Sequence, residues 1–171
     1  MKKVLKLTLA VVCMLSATSL FAQKFGRINT GEIVAAMPET KEMQDNMEAF
    51  VKDMQENLEA LNVEFNNKMQ EFQKNLSTMS ESVAQLKQKE LNEMRQRATE
   101  FEQMAQQEYQ KKYTELMTPI YEKAKNAIDE VSKAGGYLAI FDISAGALAY
   151  FDEAALTDIA PAVKAKLGIT E

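Results

Sequence analysis

Histidine and tryptophan are absent from this chain, and cysteine occurs once, at Cys13. These absences remove imidazole bases, most transition-metal sites and any disulfide within the chain. Proline occurs three times and glycine six times, and neither occurs between Glu39 and Tyr113. That stretch therefore has no helix breaker. Beyond residue 22 no segment approaches the roughly 20 apolar residues of a membrane helix, which predicts a mature protein free in its compartment. Positive charge is in the minority, with 20 Lys and Arg against 25 Asp and Glu.

The first residues differ from everything after them. Lys2, Lys3 and Lys6 carry the only charges before an apolar or small run from Leu7 to Phe21, and Ala22 precedes Gln23. This is the layout of a secretory signal peptide over residues 1–22, with cleavage expected after Ala22 and delivery to the periplasm. Leu20 is larger than usual two residues before the cut, and a shift of a few residues leaves the export reading unchanged. Cys13 follows Val12 inside the apolar run, the wrong setting for lipidation. Without the three signal lysines the net charge falls to about −8, which argues against a nucleic-acid partner. Carboxylates abound, but none is paired in an apolar or Gly-rich setting that would tune it for acid–base work. No enzyme activity, cofactor or metal is expected.

The mature chain, 23–171, divides by composition. Met47, Val51, Met54, Leu58, Leu61, Phe65, Met69, Phe72 and Leu76 follow one another in steps of three and four, the seam of a heptad repeat with one phase shift. After Ser77, Thr78 and Ser80 the pattern resumes through Met79, Val83, Leu86, Met94, Ala98, Phe101, Ala105, Tyr109, Tyr113, Leu116 and Ile120. The polar break predicts that the chain folds back on itself near 77–80, with Thr78 and Glu81 spaced as a capping box. A straight helix paired only with another chain is the competing reading. Pro38 and Pro119 lie about equally far from the turn, so the arm is assigned to 38–118, with two helices on the order of 57 Å long.

The remaining segments, 23–37 and 119–171, read as a small strand-bearing body. Strands are expected at Phe25–Asn29, at Tyr137–Phe141 after Gly135-Gly136, and at Ala147–Phe151, with Ser144, Ala145 and Gly146 linking the last two as a hairpin. Pro119 is expected to open a helix reaching about Lys133, with Thr118 as its cap, and Thr157 to cap a last helix containing Pro161, Val163 and Leu167. The fold class is thus α+β, mainly α: a small β-strand body bearing a long antiparallel coiled-coil hairpin. Three short strands make a marginal core with open edges, so the body should oligomerise through strand residues such as Phe25, Ile28, Leu138, Ile140, Leu148 and Tyr150.

Three stretches carry a resemblance. They are Phe25-Gly26-Arg27-Ile28-Asn29-Thr30-Gly31-Glu32-Ile33, then Ala134-Gly135-Gly136-Tyr137-Leu138-Ala139-Ile140-Phe141-Asp142, then Ala147-Leu148-Ala149-Tyr150 leading to Leu156-Thr157. In this order, around a Gly-free heptad hairpin and behind a signal peptide, the chain resembles the Skp/OmpH family of periplasmic chaperones over its whole mature length. The resemblance implies a homotrimer with a β-barrel body and three helical tentacles around a cavity. It also implies a holdase that keeps unfolded outer-membrane β-barrel proteins from aggregating without ATP.

Eight methionines lie between Met43 and Met117, and their flexible thioethers suit adaptable contact, although methionine at helical spacing more often packs a seam. Met43, Phe50, Val63 and Met104 stand off the strict repeat and are the candidate client contacts. The family's well-known members are basic whereas this chain is acidic, which leaves electrostatic capture unexplained. Residues 39–64 hold eight acids against Lys41 and Lys52, and residues 68–97 hold six bases against four acids. Lys87, Lys89, Arg95 and Arg97 at the tip offer a weak contact for anionic lipid, against the plainer reading of a solvated helix face. The alternative function is a structural coiled-coil scaffold of the envelope that binds one folded partner.

Overall fold

Strand β1 (Lys24–Ile28) is the centre of a three-stranded sheet, with β2 (Tyr137–Asp142) on one side and β3 (Thr157–Asp158) on the other. The computed structural model describes residues 23–169, so the expected signal peptide, its cut after Ala22 and Cys13 lie outside the described residues. Both pairings are parallel: Gly26 is level with Ile140 and with Thr157, and Arg27 with Phe141 and with Asp158. Parallel neighbours need long crossovers, and here all the helices but the last lie between β1 and β2.

Helix α1 (Thr30–Ala36) starts at Asn29, whose side chain accepts from the Glu32 amide and donates to the Glu32 carboxylate. Helix α2 (Pro38–Asn75) begins with proline in its first turn, and its 38 residues span about 57 Å. A short 3-10 turn (Leu76–Thr78) reverses the chain, and α3 (Glu81–Ala134) returns along α2. The direction follows from pairs whose numbers fall on α3 as they rise on α2: Glu39 with Lys123, Phe50 with Lys112, Phe65 with Arg95, Lys68 with Glu90. Helix α4 (Ala160–Leu167) closes the chain.

The core lies where the arm meets the sheet. Ile28 from β1, Ile33 and Val34 from α1, Met37, Met43 and Met47 at the foot of α2, Met117, Ile120, Ala124 and Ala127 of α3, and Ile159 and Val163 form one buried cluster. Farther out a two-helix hairpin has only one stripe to bury, so the seam is half-buried. Leu91 and Met94 are the exception, 3% and 4% exposed, and they make a separate buried point in the distal arm.

Several sequence expectations need correction. Pro119 does not open a helix; it lies inside α3. Buried Met117, Ile120 and Ala124 hold the helix through the lost backbone bond, and the Thr118 hydroxyl donates back to the Thr114 carbonyl instead of capping. Thr78 likewise donates to the Asn75 carbonyl, and Ser80 stands at the start of α3 without a side-chain cap bond, so no capping box forms with Glu81. Residues 147–151 are not a strand, and no hairpin links them to β2. The free edge of β1 is taken by Thr157–Asp158, because Ile159 and Val163 are 2% and 0% exposed and draw that segment against the sheet. Thr157 is consequently a strand residue, and it is Asp158 that accepts from the Ala160 amide at 2.9 Å. Near the tip the inward row runs through Ala84, Lys87, Leu91 and Met94, which leaves Val83 and Leu86 exposed, one residue out of the expected phase.

Candidate binding surfaces of the arm and body

Two of the hollows along the arm are lined largely by apolar side chains. The first, of about 240 Å³, is a slot between the helices floored by Phe50, Val51, Met54 and Leu58 of α2 and by Phe101, Ala105 and Tyr109 of α3, with Gln55 and Glu102 at its rim. It exists because Ala105 is too small to fill the space facing Phe50 and Met54. The second, of about 620 Å³, lies where α3 meets the body and is lined by Tyr113, Met117, Tyr121, Ile128, Lys125 and Asp142 among others. Tyr109 and Tyr113 bridge the two, with ring centroids 6.5 Å apart and planes 18° from parallel. Both were expected in the seam, yet they are 36% and 41% exposed.

The four off-repeat candidates separate. Val63 and Met104 are about half exposed, on the outside of the arm. Phe50 is half-buried in the first slot, with the Lys112 ammonium 5.9 Å from its ring centroid. Met43 is corrected: at 7% exposure it belongs to the core, since the foot of α2 packs against α3 and the sheet. Of the expected seam, Met47 is buried, Val51, Met54, Leu58, Leu61, Phe65, Met69 and Phe72 are half-buried, and Leu76 is 48% exposed because α2 ends at Asn75.

The body residues divide by sheet face. Ile28 is buried in the chain's own core and Ile140 is half-buried against it, so both pack within one copy, a correction that follows from strand alternation. The opposite face carries Phe25, Arg27 and Phe141, with Phe25 and Phe141 rings 6.1 Å apart. Arg27 lies 3.8 Å from Asp158 and 3.9 Å from Glu153, while its Nε is buried without a partner. Leu148 is half-buried, and Leu138 and Tyr150 are 63% and 84% exposed. Parallel sheets are normally covered on both faces, and here the helices cover one.

The charged groups are structural in placement. Burial pushes the Asp142 carboxyl up, but bonds from the Ser144 hydroxyl and amide and from Thr30 outweigh it and hold it below its ordinary value, tying β2 to α1. Glu90 is held low by bonds from Lys68 and Lys87, and Glu39 by its bond from Lys123. At the tip Lys87 pairs with Glu90, Lys89 with Glu93, and Arg95 lies over the Phe65 ring. None of these shifted groups lines the apolar slot.

A family model, described as outer membrane protein (OmpH-like), matches residues 24–167. A crystal structure of a Caulobacter crescentus CB15 protein described as an OmpH-like outer membrane chaperone shares the fold, with a TM-score of 0.74 at 15% identity, covering 85% of this chain and 83% of that one. No curated protein matches the chain.

Proposed function

The chain belongs to the OmpH-like family, and from that premise we propose that it is an ATP-independent periplasmic holdase for unfolded outer-membrane β-barrel proteins. Residues 1–22 would be removed on export and 23–171 would act as one chaperone unit, with a body of 23–37 and 119–171 and an arm of 38–118. The observation that carries the reading is apolar side chains spread along the outside of a long arm: Val63, Leu86, Met104, Tyr109 and Tyr113 are each more than a third exposed. The chaperone description of the similar Caulobacter protein agrees with it.

Unfolded barrel strands expose alternating apolar side chains and unpaired backbone, which makes them aggregate in water. Many weak, replaceable contacts along an arm retain such a chain by avidity without one tight site. Assembly as a homotrimer through the uncovered sheet face and the β2 edge would cover Phe25, Phe141 and Leu138 and set several arms around one client. Anionic lipid at the tip is the weaker element, since Lys87 and Lys89 already have carboxylate partners.

The test is light scattering of several unrelated barrel proteins diluted from denaturant, with the mature protein and no nucleotide. Delayed aggregation at about one client per oligomer is expected. Binding of one folded envelope protein with no delay of aggregation would move the chain to the scaffold reading.

A further inference from the structure

We propose that the slot between the two arm helices is a receptor for a single aromatic side chain that carries a hydrogen-bond donor, tryptophan first and tyrosine second, presented by an unfolded client. This rests on the holdase reading and names the client group that the arm takes.

The size admits such a ring. An apolar cavity of roughly 150 Å³ accommodates benzene, and the slot, at about 240 Å³, has room for the larger indole. The walls favour a ring over an alkyl chain. Phe50 of α2 and Phe101 and Tyr109 of α3 put three rings around the space, and the Met54 thioether lies among them. Contacts of a ring with other rings and with sulfur stabilise it beyond the area they bury, which an alkyl chain cannot match.

The rim selects among rings. Gln55 and Glu102 are the polar groups there. Among the described residues Glu39, Glu90 and Glu93 are paired with lysines, and Glu102 with none. An ionised carboxylate only accepts hydrogen bonds, so it matches the indole N–H or the phenol O–H, which need a partner once the ring is buried; phenylalanine has neither. Barrel proteins carry girdles of aromatic residues at both membrane interfaces, so an unfolded one presents these rings along its length. An open slot holds one side chain weakly, at about millimolar Kd, and repetition of the slot on several arms retains the chain by avidity. A neutral ring held by burial and one hydrogen bond is not repelled by an acidic chain, so capture does not depend on the basic charge of the family's well-known members.

The chain has no tryptophan, so the emission of a short uncharged peptide with one Trp reports binding without background. That peptide is titrated into the full mature protein carrying isotope-labelled methionine methyl groups, beside the same peptide methylated at the indole nitrogen and one with Leu in place of Trp. The Met54 methyl resonance, assigned with Met54→Leu, should move in the ring current of the bound indole, while those of Met43 and Met117 in the core stay in place. The Trp peptide is expected to bind about tenfold more tightly than the Leu peptide and about fivefold more tightly than the methylated one. Ala105→Leu, which fills the slot, should weaken Trp binding at least about tenfold without loss of helix content, and Glu102→Ala should reduce the difference between the Trp and methylated peptides to less than about twofold. A Met54 resonance that stays fixed at saturation, a Leu or methylated peptide that binds as tightly as the Trp peptide, or variants that behave as the native chain does would each overturn the proposal. Aggregation assays separate the two levels. A native protein that fails to delay barrel aggregation defeats the holdase reading, whereas native and Ala105→Leu proteins that delay it equally defeat only the role of the slot.

Discussion

Leu91→Ala should release the distal arm while leaving the body folded. Leu91 is 3% exposed, beside Phe72 and Met79, under a cover formed by the Lys68, Glu90 and Lys87 charges. The space next to it is about 10 Å³, at the lower limit for a single water, so the side chain fills its site and its removal leaves a new void. Buried Leu→Ala changes cost about 2–5 kcal/mol, and a two-helix arm open to solvent can partly close over the gap, which points to the lower end, about 2 kcal/mol. Leu91 and Met94 stand apart from the body cluster, so this loss falls on local opening. Amide exchange across residues 60–100 should accelerate about 30-fold, with β1 and residues 120–131 unchanged. Leu86→Ala, at a side chain 65% exposed, is the control and should stay within about 0.5 kcal/mol of the native protein. Loss of protection in β1 to the same degree, or no change in the distal arm, would refute the idea that the arm is pinned separately at Leu91.

Gly26→Ala should destabilise the body by about 1–3 kcal/mol, because an added Cβ would lie 2.7 Å from Ile140 Cδ1 and 3.0 Å from the Thr157 carbonyl oxygen; a denaturation midpoint equal to the native one would contradict that packing. Leu138→Asp should lower the sedimentation mass without lowering the helix signal, whereas Ile140→Asp should unfold the body, and a Leu138→Asp protein that stays assembled would remove the β2 edge from the interface. Glu90 and Glu39 are held below their ordinary 4.5, so their contribution is present above that value and is lost as pH falls through their lower folded values. Lys68 is held above its ordinary 10.5, mainly by its bond to Glu90, so its contribution is present below that value and is lost as pH rises through the raised one. Thermal melts should show an arm least stable at the two pH extremes, by a small margin that salt shrinks, and a melt unchanged from neutral pH to about pH 3 would count against these pairs.

The sequence by itself determined the long helices, the place where they turn and the identity of most seam positions. Those depend on neighbours three and four residues apart and on the absence of Gly and Pro, which are local facts. What only the tertiary structure decided was where an apolar residue goes when two partners compete for it. Met43 looked off-register along the heptad but is claimed by the sheet and α3 together. Thr157 looked like a cap but is pulled into the sheet because Ile159 and Val163 enter the core. Pro119 carried the signal of a helix start, and only the burial of residues on both sides of it explains why α3 continues through. Tyr109 and Tyr113 belong to the same class: both fit a heptad as text, and only the packing of the helices shows that they stand 36% and 41% exposed.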